Sequence, residues 1–62
     1  MIIKYRRYDA LKKENVQHII TNVDHVQAHV KWLSYWLIGQ PKWIFRINLT
    51  ECNDVRIENE TN

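Results

Sequence analysis

His25 and His29 stand four residues apart, the spacing at which two imidazoles on one face of a helix can reach a single metal ion. His18 could add a third ligand if its strand end came close. No cysteine or carboxylate completes a recognised ligand spacing, and Asp24 points to a different side of such a helix. The pair therefore reads as rim histidines, with no metal and no other cofactor expected.

Other chemistry is thinner. Cys52 sits in the polar run ECND, without a basic neighbour in sequence to activate it. Glu51, Asp54, Glu58 and Glu60 read as a solvated terminal charge run, and Asp9, Glu14 and Asp24 fall in turns or a cap. Gly39 is the single glycine, so no glycine-rich phosphate loop can form. Ser34 lacks a nucleophile motif around it. A chain this short also has little core from which to build a dry, preorganised active site. No catalytic residue is assigned, and the expectation is a protein without enzymatic activity.

Two groups of residues point to binding instead. His25, His29, Trp32 and Trp36 form a second row on an expected helix, with Tyr35 beyond it; Trp36 and His29 sit at the margin of the apolar stripe, and Trp32 and Tyr35 point nearly away from it. Trp and Tyr dominate the energetics of protein interfaces, so this row reads as a protein-docking surface. Lys4, Arg6, Lys42, Arg46 and Arg56, with Tyr8 and Ile44 among them, would share an open sheet face that contacts an anion or a nucleic acid. The pI near 8.9 is only mildly basic, and no RNA- or DNA-reading motif is present.

These groups need elements to position them. Val23, Val26, Val30, Leu33 and Leu37 follow helical spacings of three and four, predicting a helix over 23–38. Thr21 or Asn22 can cap its start, Asp24 favours the first turn, and Gly39 and Pro41 supply a stop. Met1–Tyr8 reads as a half-buried strand, as does Val16–Thr21, where four of six residues are β-branched. Lys42–Thr50 alternates Trp43, Phe45, Ile47 and Leu49 on one face, and Val55–Glu58 reads as its return strand across a polar connection.

The expected fold is α+β: two hairpins in one small antiparallel sheet, with one helix packed on one face, in the order ββαββ. The expected core is Ile3, Tyr5, Val16, Ile20, Trp43, Phe45, Ile47, Leu49, Val55 and Ile57 against the helix stripe. The alternative is βαββ. Val16, Ile19, Val23, Val26, Val30, Leu33 and Leu37 make an unbroken heptad series, so one long helix would dimerise as a coiled coil. That helix would run about 43 Å at 1.5 Å per residue, too long for its own short sheet. It would also carry Asn15, Thr21, Asn22 and Asp24 in its interior.

Residues 1–62 form one small domain, with 59–62 read as a frayed tail. A chain of this length buries only about 60% of its unfolded surface, and oligomerisation is a common remedy. The single cysteine excludes an internal disulfide and fits a reducing compartment. Met1-Ile2-Ile3 gives way at once to Lys4, so no signal-peptide apolar core is visible, and Trp36-Leu37-Ile38 is too short to span a bilayer. The expected location is cytoplasmic, with no membrane partner.

Charge is uneven along the chain. Residues 1–13 carry Lys4, Arg6, Arg7, Lys12 and Lys13 against Asp9, whereas 51–62 carry Arg56 against Glu51, Asp54, Glu58 and Glu60. Opposite ends of this kind favour proximity in the fold or attraction between copies. The functional expectation is a small regulator or inhibitor that docks on another protein, resembling mobile-element products in size alone, and forming a homodimer or other homo-oligomer. The alternatives are nucleic-acid binding through the basic face, or an oligomeric sponge for a small molecule or nucleotide.

Overall fold

The segment expected to be a helix is two strands. The computed structural model describes residues 1–59, and these residues form six strands and no helix. They are β1 (Ile2–Asp9), β2 (Glu14–Ile20), β3 (Val23–Ala28), β4 (Trp32–Leu37), β5 (Gln40–Asn48) and β6 (Cys52–Glu58). The strands make two antiparallel three-stranded sheets, ordered β2-β1-β6 and β3-β4-β5. The fold is therefore all-β, which overturns both the α+β reading with a packed helix and the long heptad helix. Of the expected frayed tail, Asn59 lies outside any strand and 60–62 lie outside the described residues.

A bulge explains the misleading helical spacing. β3 pairs with β4 through Val23↔Leu37 and then His25↔Trp36, so Asp24 is an extra residue on β3. The insertion turns both Val23 and Val26 toward the interior, at a spacing of three instead of two. Val30 belongs to the turn between β3 and β4 and is almost fully exposed. Beyond that turn, Leu33, Tyr35 and Leu37 alternate inward. The local composition favours this outcome, because β-branched and aromatic residues fit a pleated, half-buried surface. The heptad series breaks in the same way, with Ile19 and Val30 left in solvent.

The core lies between the inner faces of the two sheets. Ile3, Val23, Leu33 and Ile47 are buried, and Tyr5, Ile20, Val26, Tyr35, Leu37, Leu49, Cys52 and Val55 pack around them. Trp43 and Ile57, both expected inside, are instead 66% and 45% exposed. Trp43 lies in a wide bulge of β5, since Tyr35↔Phe45 is followed by Leu37↔Gln40 and residues 41–44 are carried past the single residue Trp36. Pro41 lacks an amide donor and suits such an interruption. Gly39 closes the β4–β5 turn at φ +83°, in the left-handed region that favours glycine.

Of the two expected hairpins, one forms. β1 pairs with β2 in unbroken register from Ile3↔Ile20 to Asp9↔Glu14. Asp9 Oδ1 accepts hydrogen bonds from the amides of Leu11 and Lys12, which fixes the turn. β5 and β6 do not pair with each other. After Asn48, whose Oδ1 accepts from both the amide and the hydroxyl of Thr50, the chain crosses to the other sheet and β6 pairs with β1. The oppositely charged ends thus lie side by side, with Lys4 3.0 Å from Glu58 and Arg7 3.2 Å from Glu51. The sheets are also tied where β1 meets β3, since the Val23 amide donates to the Met1 carbonyl at 3.1 Å.

Alkaline pH is expected to loosen this packing. Burial raises the Tyr5 phenol above its ordinary value of 10.0, with the Cys52 thiol adding to the effect and Arg7 opposing it. Burial also raises Tyr35, and Tyr5 adds to that shift. The unfolded chain ionises first, so the stabilisation from these neutral phenols is complete below about pH 10 and is lost as pH rises through their folded values. The urea midpoint should therefore fall across that range. Tyr35→Phe should flatten the fall; an equally steep fall in that variant would assign it to other groups.

Candidate docking surface

The alternation that sends Leu33, Tyr35 and Leu37 inward sends Trp32, Ser34 and Trp36 to the outer face of β3-β4-β5. Register supplies their neighbours. Ser34 is flanked by Gln27 on β3 and Arg46 on β5, Trp36 by His25, and Trp32 by Asn48. Trp32 is 45% exposed, while Trp36 is half-buried beneath His25, whose ring stacks on the indole at 4.2 Å and 11°. His25 Nδ1 also donates to Asp24 Oδ2 at 2.7 Å, so the bulge residue orients the stacked imidazole. The His29 amide donates to the Trp32 carbonyl at 2.8 Å, which holds the β3–β4 turn beside the indole. His29, Trp32, Ser34 and Arg46 line a shallow recess, with Ser34 buried among them.

The electrostatics of the two outer faces differ. On β2-β1-β6, Lys4 is paired with Glu58, and Arg56 Nε with Asp54 Oδ1 at 3.1 Å. Together with Arg6 and Gln17 these groups line a shallow groove of mixed sign. On β3-β4-β5, Arg46 has no carboxylate within 4.0 Å among the described residues. Arg46 shares the recess with the residues that bear an indole, an imidazole and a hydroxyl, Trp32, His29 and Ser34.

The residues singled out from sequence are thus redistributed. Trp32, Trp36, His25 and His29 stay on one side of one sheet. Tyr35 leaves them: it faces the core and stacks on Phe45 at 5.2 Å. The helix placed Tyr35 next to Trp36 on the outside, whereas a strand puts adjacent residues on opposite faces. His25 and His29, one turn apart on a helix, are separated here by about 13 Å of extended chain. His18 lies in the other sheet, stacked on Tyr5 at 4.9 Å. Among the described residues, no group of three or more His, Cys, Asp or Glu could hold a metal ion. The expected single basic face is divided as well, with Lys4, Arg6 and Arg56 on one sheet and Lys42 and Arg46 on β5 of the other. Ser34 and Gln27 were missed; the signal for Ser34 was the two-residue alternation Trp32-Ser34-Trp36.

Cys52, the first residue of β6, is half-buried against the core, and desolvation raises its thiol above the ordinary 9.0, only partly offset by Arg7. The thiol is therefore protonated at neutral pH and a poor nucleophile. Alkylation by iodoacetamide at pH 8 should be several-fold slower in the native chain than in the urea-unfolded chain (roughly the change in thiolate fraction); equal rates would mean the thiol is open.

Comparison of the chain with protein-family models, with curated proteins and with solved structures gives no match in any of the three. Among the described residues, no helix is long and apolar enough to cross a membrane.

Proposed function

We propose that this chain is a small cytoplasmic binding module that acts by docking on a partner protein, as a regulator or inhibitor, and not by catalysis. The observation that carries this reading is the outer face of β3-β4-β5. An exposed Trp32 stands beside Arg46, which has no carboxylate partner among the described residues, around the recess over Ser34. Trp and Arg are the residues most enriched among interface hot spots. An acidic or carbonyl-rich partner surface with an apolar anchor for the indole would satisfy both groups. The other outer face is a poorer candidate, because two of the three cations in its groove, Lys4 and Arg56, already have carboxylate partners, and Arg6 stands among those neutralised pairs with no tryptophan lining the groove.

Arg46→Glu tests the reading. The immobilised native chain is expected to capture one or more proteins from a host extract, and the charge-reversed chain to lose them while its circular dichroism is unchanged. Lys4→Glu, on the opposite sheet, should retain them. Equal capture by native and Arg46→Glu chains would reject this face.

The same indole–guanidinium pair favours a second reading, a single-stranded nucleic acid with a base stacked on Trp32 and a phosphate on Arg46. It predicts oligonucleotide binding at about 50 mM salt that weakens steeply with added salt. No binding under those conditions would remove it.

A further inference from the structure

Each sheet ends in two edge strands, and three of the four carry features that block further pairing. β3 has the Asp24 bulge, and the amide of its first residue already donates to Met1. β5 has Pro41, Lys42 and the wide bulge over 41–44. β6 is shifted in register near Asp54, which sits at φ +56°, and carries Asp54, Arg56 and Glu58 along its length. Bulges, prolines and charges of this kind are how sheets avoid edge-to-edge association.

β2 has none of them. Its seven residues, ENVQHII, pair with β1 in continuous register without a bulge, contain no proline or glycine, and carry one formal charge, at Glu14. Ile19 projects from it 58% exposed. The free edge is about 23 Å long at 3.3 Å per residue.

We infer that β2 is a dimer seam, at which two copies of this chain pair β2 to β2 antiparallel and join their sheets into one of six strands, β6-β1-β2-β2-β1-β6. A second copy is the occupant because the edge complements itself. An axis through Gln17 sets Glu14 opposite Ile20 and Val16 opposite His18 of the other copy, so no like charges meet. Pairing of identical edges about a two-fold axis is isologous and closes at two, and the guarded edges β6 at the ends of the joined sheet stop it growing. The motive is the small core, four buried apolar side chains, which gains from any further burial. The seam is on the sheet opposite the Trp32–Arg46 face, so it leaves that face free and stands or falls separately from the docking proposal.

Sedimentation equilibrium of the full chain, with amide hydrogen exchange, tests the seam. The expected result is a species of twice 7.6 kDa, with alternate amides of β2 exchanging as slowly as those of the central strand β1. Gln17→Lys, which sets two ammonium groups face to face at the axis, should weaken association roughly fivefold. Gln27→Lys on the edge strand β3 should not. A chain that stays monomeric at every concentration reached overturns the inference. So does a dimer whose β2 amides exchange freely, or one that Gln17→Lys leaves as tight as before; the exchange measurement on the native chain decides even if the variant fails to fold.

Discussion

Leu33→Ala is expected to leave the chain largely unfolded at room temperature. Leu33 is 3% exposed on the central strand of its sheet, paired with Ala28 on one side and Ile47 on the other. Truncating a buried leucine costs about 2–5 kcal/mol, the removed transfer energy plus the cavity left behind. The whole stability of a 62-residue chain is about 3–9 kcal/mol. One methyl-rich side chain therefore carries from about a fifth to all of it. In larger domains, neighbouring core residues relax into such a hole; here, among the described residues, Ile3, Val23 and Ile47 are the only other apolar side chains comparably buried. Urea titration followed by far-ultraviolet circular dichroism measures the loss, at fixed protein concentration because any association contributes to apparent stability. Trp43→Ala should move the midpoint little, since that indole is mostly in solvent. A Leu33→Ala midpoint equal to the native one would mean that the sheets do not close over this residue.

Trp32→Ala is expected to do the reverse: keep the fold and abolish docking. Its side chain is outward and nearly half in solvent, so truncation opens no internal cavity. At an interface, an anchoring tryptophan is worth about 2–4 kcal/mol, which corresponds to a roughly 30- to 800-fold loss of affinity. The neighbouring position gives the contrast. Tyr35→Ala removes the ring that stacks on Phe45 in the core and should lower stability before it touches binding. Trp36→Ala should lower both, because that indole is half-buried and carries the His25 stack. Titration of a captured partner against each variant, with the urea midpoint measured in parallel, separates the two roles along one strand. Trp32→Ala binding as tightly as the native chain would show that the partner does not use this face.

The strand character of four segments was legible in residue order. β1, β2, β5 and β6 occupy stretches where β-branched and aromatic residues alternate with polar ones, and strand periodicity needs only neighbours two apart to be visible. The attraction between a basic start and an acidic end was legible too, because formal charge is a property of composition. The candidate surface was half legible: Trp32, Trp36, His25 and His29 remain together because they are close in sequence in either conformation, and Tyr35 is lost because its side depends on which conformation forms.

What residue order could not decide is where the backbone takes an extra step. One bulged residue, Asp24, makes Val23 and Val26 share a face at a helical spacing, and the wide bulge in β5 puts Trp43 in solvent although its parity matches Phe45 and Ile47. Strand partners were equally hidden, since β6 could return along β5 or cross to β1, and both choices alternate alike. Tertiary packing selected β1, where Lys4 and Arg7 meet Glu58 and Glu51, and where Val55 and Cys52 add to the small core between the sheets. Periodicity is local and reports which side a residue would take within an element. Pairing and bulges follow from burying enough apolar surface in so short a chain, a condition set by all six strands together.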